Sequence, residues 1–265
     1  MQASINGIRL NYTVEGASAA PTVVLHHPLA TNLSTWDELT AALSPRYRVV
    51  RFDARGHGAS EASPAPYTFA TLSADVIGLM DHLKIERAHF LGLSMGGMVG
   101  QHLGVEQPQR FRSLILSSTS SRVPAEAQPL WDERVKTARE KGMASQVPTA
   151  LQRWLAPATR ERKPELVARM TRYLETTPVE GYAGWCQAIR NLDITERLKG
   201  ITLPTRVIVG DADVGTPPAA AEAIHRQIAG SDLIVVPGLA HMLHVEEPET
   251  FNRHVLQFLD RQAQG

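Results

Sequence analysis

The sequence has almost no cysteine. Cys186 stands alone, which excludes an internal disulfide and a cysteine-built metal site. It has no excess of either charge: 27 Lys and Arg face 27 Asp and Glu. A chain that grips a phosphate backbone needs a basic face, so no nucleic-acid partner is expected. No apolar run approaches the roughly 18 residues of a membrane span. Residues 1–5 lack a basic segment leading into an apolar one. A soluble, cytoplasmic protein without a membrane partner is therefore expected. Repeats and low-complexity tracts are absent, and the loop-like, Pro-rich stretch 60–66 (SEASPAP) is short. Nothing in the composition fixes an oligomeric state.

What is present points to a sizeable core, since 43% of the residues are hydrophobic. The 265 residues exceed a typical domain of about 100–200, although α/β units reach about 250 as one body. Asn6-Gly7 separates two strand patterns and suits a two-residue hairpin turn. In the second arm Ile8, Leu10, Tyr12 and Val14 alternate with polar residues, the period of a half-buried strand. The runs 22–26, 49–52 and 88–91 do not alternate, as in strands buried on both faces of a parallel sheet. The runs 114–116, 207–209 and 233–236 read the same way. Between them lie helical patterns. Thr35-Trp36-Asp37-Glu38 has capping-box spacing, and Leu72, Val76, Leu79 and Leu83 share one helix face. This alternation predicts an α/β fold with a mostly parallel, doubly wound sheet and an N-terminal hairpin. Residues 122–197 break the rhythm with helical patterns at 131–141, 145–154, 164–176 and 179–190. A helical cap over 122–197 is expected, inserted into a core made of 1–121 and 198–265.

The strongest chemical signal is Gly92-Leu93-Ser94-Met95-Gly96-Gly97. It follows a strand pattern and precedes a helical one, the context of a nucleophile elbow. The flanking glycines avoid clashes that a Cβ would create. The turn would lift the Ser94 hydroxyl above the sheet and aim the Met95 amide at a developing oxyanion. A serine needs a histidine base oriented by a carboxylate, in the chain order Ser, acid, His. Residues 207–209 lead to Gly210-Asp211-Ala212-Asp213, and residues 233–236 lead to Pro237-Gly238-Leu239-Ala240-His241. Open α/β sheets place their sites past the carboxyl ends of such strands. Asp213 lies further along its loop than Asp211 and is better able to reach across, while Asp211 reads as a turn-stabilising residue. His241 sits within its loop. His244 leads into the last helix and reads as structural or pocket-lining. The second oxyanion donor is expected after the first buried strand, at the Leu29 amide, because Pro28 has no N–H to give.

With Phe52-Asp53-Ala54-Arg55-Gly56-His57-Gly58-Ala59-Ser60 matching a D-x-R-G-x-G-x-S loop, the chain resembles the α/β-hydrolase family over its full length. Within that family it most resembles 3-oxoadipate enol-lactonases, which act in aromatic catabolism. The matching stretches are 51–60 (RFDARGHGAS), 88–101 (AHFLGLSMGGMVGQ), 131–134 (WDER), 178–182 (PVEGY) and 215–218 (GTPP). The resemblance implies Ser94 as nucleophile, Asp213 as acid, His241 as base, and neither a metal nor an organic cofactor. A metal site from His26, His27, His241 and His244 has no supporting spacing. Dehalogenase and epoxide-hydrolase chemistry would need an Asp at Ser94. Two departures touch the pocket. His27-Pro28 stands where His-Gly or a small polar pair is usual and makes the mouth of the oxyanion hole stiffer and more basic. Met242-Leu243-His244 follows the histidine where a small polar pair is usual.

The expected reaction is hydrolysis of a small lactone or ester through an acyl-enzyme. The substrates of the resembled lactonases carry a free carboxylate, so a cation is expected near the pocket. Arg134 is the candidate, since Arg recognises carboxylates bidentately, with Trp131 and Trp154 as pocket walls. The insert holds 13 of the 27 basic and 10 of the 27 acidic residues, leaving 14 and 17 elsewhere. That asymmetry agrees in sign with an anionic substrate. A broader carboxylesterase or perhydrolase, and a non-catalytic binder on the same fold, are the alternatives.

Overall fold

The computed structural model describes residues 1–262. The chain opens with β1 (Gln2–Ile5) and β2 (Ile8–Glu15), an antiparallel hairpin with Ile5 opposite Ile8. Asn6 and Gly7 take φ of 45° and 78°, as the tight two-residue turn requires. Then come β3 (Thr22–His26), α1 (Asp37–Leu43), β4 (Arg48–Phe52), α2 (Phe69–His82), β5 (Ala88–Leu93), α3 (Met95–Glu106) and β6 (Phe111–Ser117). Five helices follow without a strand: α4 (Gln128–Lys141), α5 (Val147–Trp154), α6 (Pro157–Arg162), α7 (Pro164–Thr176) and α8 (Val179–Arg190). The α/β alternation resumes with β7 (Thr205–Gly210), α9 (Pro218–Gln227) and β8 (Asp232–Val236), and closes with α10 (Leu243–Glu246) and α11 (Pro248–Gln262).

The strands form one sheet in the order β1-β2-β4-β3-β5-β6-β7-β8. β2 runs antiparallel to β4, and every pairing from β4 through β8 is parallel. This is the α/β-hydrolase arrangement, with a hairpin at one edge and a large helical insertion between β6 and β7. Every residue of β3, β5 and β7 is buried. Alternate side chains feed two cores, as the strand period dictates. Val24, Val50, Phe90, Leu116 and Val207 join the side covered by α2, α3 and α9. Val23, Leu25, Leu91, Leu93 and Ile115 join the side covered by α1 and α11. That second core continues into the insertion through Val135, Trp154, Met170 and Cys186.

Two expectations fail. The run at 233–236 is not a strand buried on both faces: β8 is the edge of the sheet, and Val235 is 44% exposed. Apolar content reported β-propensity there, and sheet order decided the burial. Nor does Thr35 cap a helix. Asn32 caps a short 3₁₀ turn, accepting from the Ser34 amide, and α1 begins at Asp37 without a side-chain cap. Thr35 instead bonds His244 at 2.8 Å, a partner 209 residues away that local spacing could not reveal.

The insertion is seated on the core by a close backbone contact. A Cβ on Gly181 of α8 would lie 1.9 Å from the Gly56 carbonyl oxygen, so only glycine fits. Beside it the Trp185 indole N–H donates to the Arg55 carbonyl at 2.8 Å. Arg55 is itself held by Asp75 through paired bonds of 2.8 and 2.7 Å. The D-x-R-G stretch thus folds as the seat for the insertion.

Candidate active site

Ser94 stands between β5 and α3 with φ 54° and ψ −112°, a strained conformation for a residue with a Cβ. The surroundings enforce it. A Cβ on Gly92 would lie 2.1 Å from the Gly96 carbonyl oxygen, and one on Gly96 would lie 2.3 Å from that of His26. The strand and helix can approach this closely only as glycine backbone. The Ser94 amide donates to Ser117, and its carbonyl accepts from Thr119 Oγ1 and the Met98 amide. The backbone is pinned on all sides while the hydroxyl faces a cavity.

Asp213 lies past β7, buried. Its Oδ1 accepts from the Gly215 and Thr216 amides at 2.8 and 2.9 Å. Its Oδ2 accepts from Thr216 Oγ1 at 2.8 Å and from His241 Nδ1 at 2.9 Å. Burial alone would raise this carboxyl, but the His241 charge and these donors outweigh it and hold Asp213 below its ordinary value. With Nδ1 bonded to Asp213, Nε2 is the His241 nitrogen left to accept a proton. Asp211 is exposed and accepts from the Gly238 amide at 2.7 Å, so it braces the facing loop. His244 is buried against Trp36, and burial pushes it down to about 3. It packs and bonds to Thr35 rather than facing the cavity.

Ser94 and His241 line one cavity of about 560 Å³. Pro28, Leu29 and Ala30 form part of its wall, and Trp131, Arg134 and Trp154 form another. Of the expected residues, Ser94, His241, Leu29, Trp131, Arg134 and Trp154 line this space, while Asp213 reaches it through His241 and Met95 is not part of its wall. Met95 begins α3 beneath Ser94, fully buried. Among the described residues, no hydrogen bond uses the Leu29 or Met95 amide. The Leu29 loop is not basic. His27 is buried, donates from Nδ1 to the Pro28 carbonyl at 2.8 Å and accepts the Ala54 amide at Nε2, 2.9 Å. His57 likewise accepts the Ala30 amide at 3.0 Å. Burial, and then the neighbouring imidazoles, hold His26 at about 3 and His57 well below its ordinary value; burial also lowers His27. The expected basic mouth is corrected to a neutral imidazole scaffold, because an imidazolium could not accept those amide protons.

Arg153 was missed by the sequence reading. It lies at the end of α5 and lines the same cavity. Burial, and then the charge of Arg134, push it down to about 10. Its Nε donates to the Thr149 carbonyl at 3.3 Å, while Arg134 lies 4.3 Å over the Trp131 ring. Among the described residues neither guanidinium pairs with a carboxylate, unlike the neighbouring Arg190 with Asp132 and Arg139 with Glu180. The only sequence signal for Arg153 was helical spacing in a basic insert. Tyr182 and Gln146 complete this polar wall, with the Tyr182 hydroxyl 3.4 Å from Gln146 Oε1. No group of three or more His, Cys, Asp or Glu among the described residues is placed to hold a metal ion. No helix among them is long and apolar enough to cross a membrane.

An elbow serine and a carboxylate-bound histidine lining one cavity, with Leu29 in its wall, define a serine hydrolase on this fold. Residues 21–248 match the family model of the alpha/beta hydrolase fold, and the chain belongs to that family as a carboxylic ester hydrolase. Over 254 residues it is 37% identical to 3-oxoadipate enol-lactonase 2 of Acinetobacter baylyi, covering 96% of this chain and 94% of that one. The crystal structure of the enol-lactonase from Burkholderia xenovorans LB400 superposes with a TM-score of 0.95 at 37% identity, covering 98% of this chain and all of that one. A thermophilic esterase from Thermogutta terrifontis superposes with a TM-score of 0.93 at 26% identity, covering 99% and 98%.

Proposed function

We propose that this protein opens a small carboxylate-bearing lactone of the 3-oxoadipate enol-lactone type, with Ser94, Asp213 and His241 as its triad. The supporting observation is one cavity shared by Ser94, the Asp213-bound His241 and two guanidiniums without carboxylate partners among the described residues. In this reading residues 122–197 are a cap that supplies the anion-recognising wall, and 1–121 with 198–265 are the hydrolytic core.

Ser94 Oγ attacks the lactone carbonyl carbon while His241 Nε2 takes its proton. Asp213 fixes the tautomer and stabilises the imidazolium. The Leu29 and Met95 amides receive the oxyanion, and one such donor lowers the barrier by roughly 3–4 kcal/mol in a comparable hydrolase. Collapse breaks the ring C–O bond, and His241 returns the proton to the leaving oxygen. That oxygen stays tethered, because ring opening keeps both halves on one acyl group. Water, deprotonated by His241, then attacks the ester carbon and releases the acid and Ser94. Arg134 and Arg153 hold the substrate carboxylate. Trp131 and Trp154 wall the ring.

A broader esterase activity is favoured by a different part of the cavity. Val123, Pro124, Leu130, Val214 and Pro217 form an apolar side that a small polar lactone would leave unfilled. The deciding experiment is a panel of the enol-lactone, saturated lactones and p-nitrophenyl esters with wild type and Ser94→Ala. Loss of all turnover in Ser94→Ala is expected, with the highest kcat/KM on the enol-lactone. A kcat/KM no better than that for short esters refutes the lactonase reading. Turnover surviving Ser94→Ala refutes the triad.

A further inference from the structure

Glu246 is completely buried at the end of α10, and the mechanism gives it no task. Its carboxylate meets donors on two opposite sides. Oε1 accepts the amide of Ala240, the residue before His241, at 2.8 Å. Oε2 accepts the Ala156 amide at 3.0 Å and Thr159 Oγ1 at 2.7 Å, both from the α5–α6 corner of the cap. On the other side of the histidine, the Met242 amide donates to the Trp154 carbonyl at 2.9 Å. The backbone before and after His241 is thus tied to one cap corner. This matters because residues 237–242 belong to neither strand nor helix, so no ladder of their own fixes the height of the imidazole.

An apolar side chain of this size would fill the same space without the cost of burying a carboxylate. It would leave the Ala240 and Ala156 amides buried and unpaired. The position requires two acceptor oxygens facing apart, which only a carboxylate offers in full.

We infer that Glu246 is a positioning residue: it straps the backbone before His241 to the cap and so sets the distance from the His241 imidazole to Ser94. The inference rests on reading His241 as the base. It makes the cap part of the catalytic framework as well as a wall for substrate. A misplacement of about 1 Å between reacting groups can cost on the order of a hundredfold in rate.

The test is Glu246→Gln. The Gln oxygen keeps two bonds if it faces Ala156 and Thr159, which turns the amide nitrogen onto the Ala240 N–H and releases the histidine loop while the cap stays docked. Kinetics are measured on p-nitrophenyl acetate, a small neutral ester that needs no anion wall, with rates normalised to sites titrated by a fluorophosphonate. Expected is a fall in kcat per titrated site of about tenfold to a hundredfold, with KM within about twofold of wild type. A kcat per site within about twofold of wild type, even with a lowered Tm, overturns the inference by showing a purely structural residue. Should Glu246→Gln not fold, Thr159→Val loosens the cap-side grip alone. It is expected to lower kcat about threefold, a fraction of the same effect, and an unchanged kcat overturns the inference there too. His241→Ala separates the two levels. If it remains active, the base assignment fails and this inference with it. If it is inactive while Glu246→Gln is normal, only this inference fails.

Discussion

Asp213→Asn gives the sharpest test of the proposed triad, because the structure dictates which way the new amide must lie. Two backbone amides, Gly215 and Thr216, donate to Oδ1 at 2.8 and 2.9 Å. The Asn oxygen has to take that position, since an NH₂ there would face two N–H groups. The Asn nitrogen then replaces Oδ2, 2.9 Å from His241 Nδ1, and donates to it. His241 is driven into the opposite tautomer, with its proton on Nε2, where it cannot accept from Ser94. Thr216 Oγ1 can rotate to accept from the new amide, so the loop survives. Loss of a charge-assisted bond costs about 1.5–3 kcal/mol, a Tm fall of roughly 3–12 °C at about 2–4 °C per kcal/mol. Catalysis suffers far more. A wrong tautomer in a serine protease costs about 10⁴ in kcat, equivalent to about 5 kcal/mol of barrier. The assay is steady-state hydrolysis of a p-nitrophenyl ester on fluorophosphonate-titrated enzyme, with circular dichroism to confirm folding. KM should hardly move, and activity should recover partly as pH rises and hydroxide deprotonates Ser94. A folded variant within about tenfold of wild-type kcat at neutral pH would refute the tautomer argument, whatever its stability.

Three further outcomes are expected. Arg153→Ala and Arg134→Ala should each raise KM for an anionic lactone about tenfold or more, as expected for a charge-assisted bond, with KM for a neutral ester changed less than about twofold; equal effects on both substrates would remove these residues from carboxylate recognition. Asp75→Ala strands the Arg55 guanidinium, whose side chain is 4% exposed, and should cost about 3–5 kcal/mol, read as a fall in the denaturant midpoint; a change below about 1 kcal/mol would show that the pair is solvated. Folding stability should fall in acid: His26 and His244 are held at about 3 in the folded chain, so the unfolded chain binds the extra protons below pH about 6.5. Each group then costs about 1.4 kcal/mol per pH unit down to its folded value, while stability above pH about 7 is flat in this respect. Urea titrations at pH 7.5, 6 and 5 check it, and equal stability at pH 7.5 and 5 would contradict neutral burial.

Much of the candidate site was legible because its motifs are local. Gly92, Ser94 and Gly96 lie within one turn, and that turn's geometry needs those residue types wherever it occurs. Asp213 and His241 each follow a recognisable strand, so their order and level above the sheet could be anticipated. Helices 164–176 and 179–190 were read at the bounds the structure shows. Signals failed where the deciding partner was distant. Thr35 had the spacing of a cap, yet its hydroxyl serves His244. The run at 233–236 had the composition of an inner strand, yet it lies at the sheet edge. His27 looked basic until burial among Pro28, Ala54 and His57 fixed it as neutral.

By itself the sequence determined the doubly wound class, the insertion between two halves of a sheet, and the residue types that hydrolysis requires. These follow from hydrophobic period and from turns that only glycine allows, and both are written along the chain. Only the tertiary structure decided which charges are free and which histidines can titrate. It alone brought Arg153 of the insertion to the Ser94 cavity, and set Glu246 between the insertion and the loop of His241. Pairing and desolvation depend on what surrounds a group in space, and neighbours drawn from opposite ends of 265 residues leave no periodic trace in the sequence.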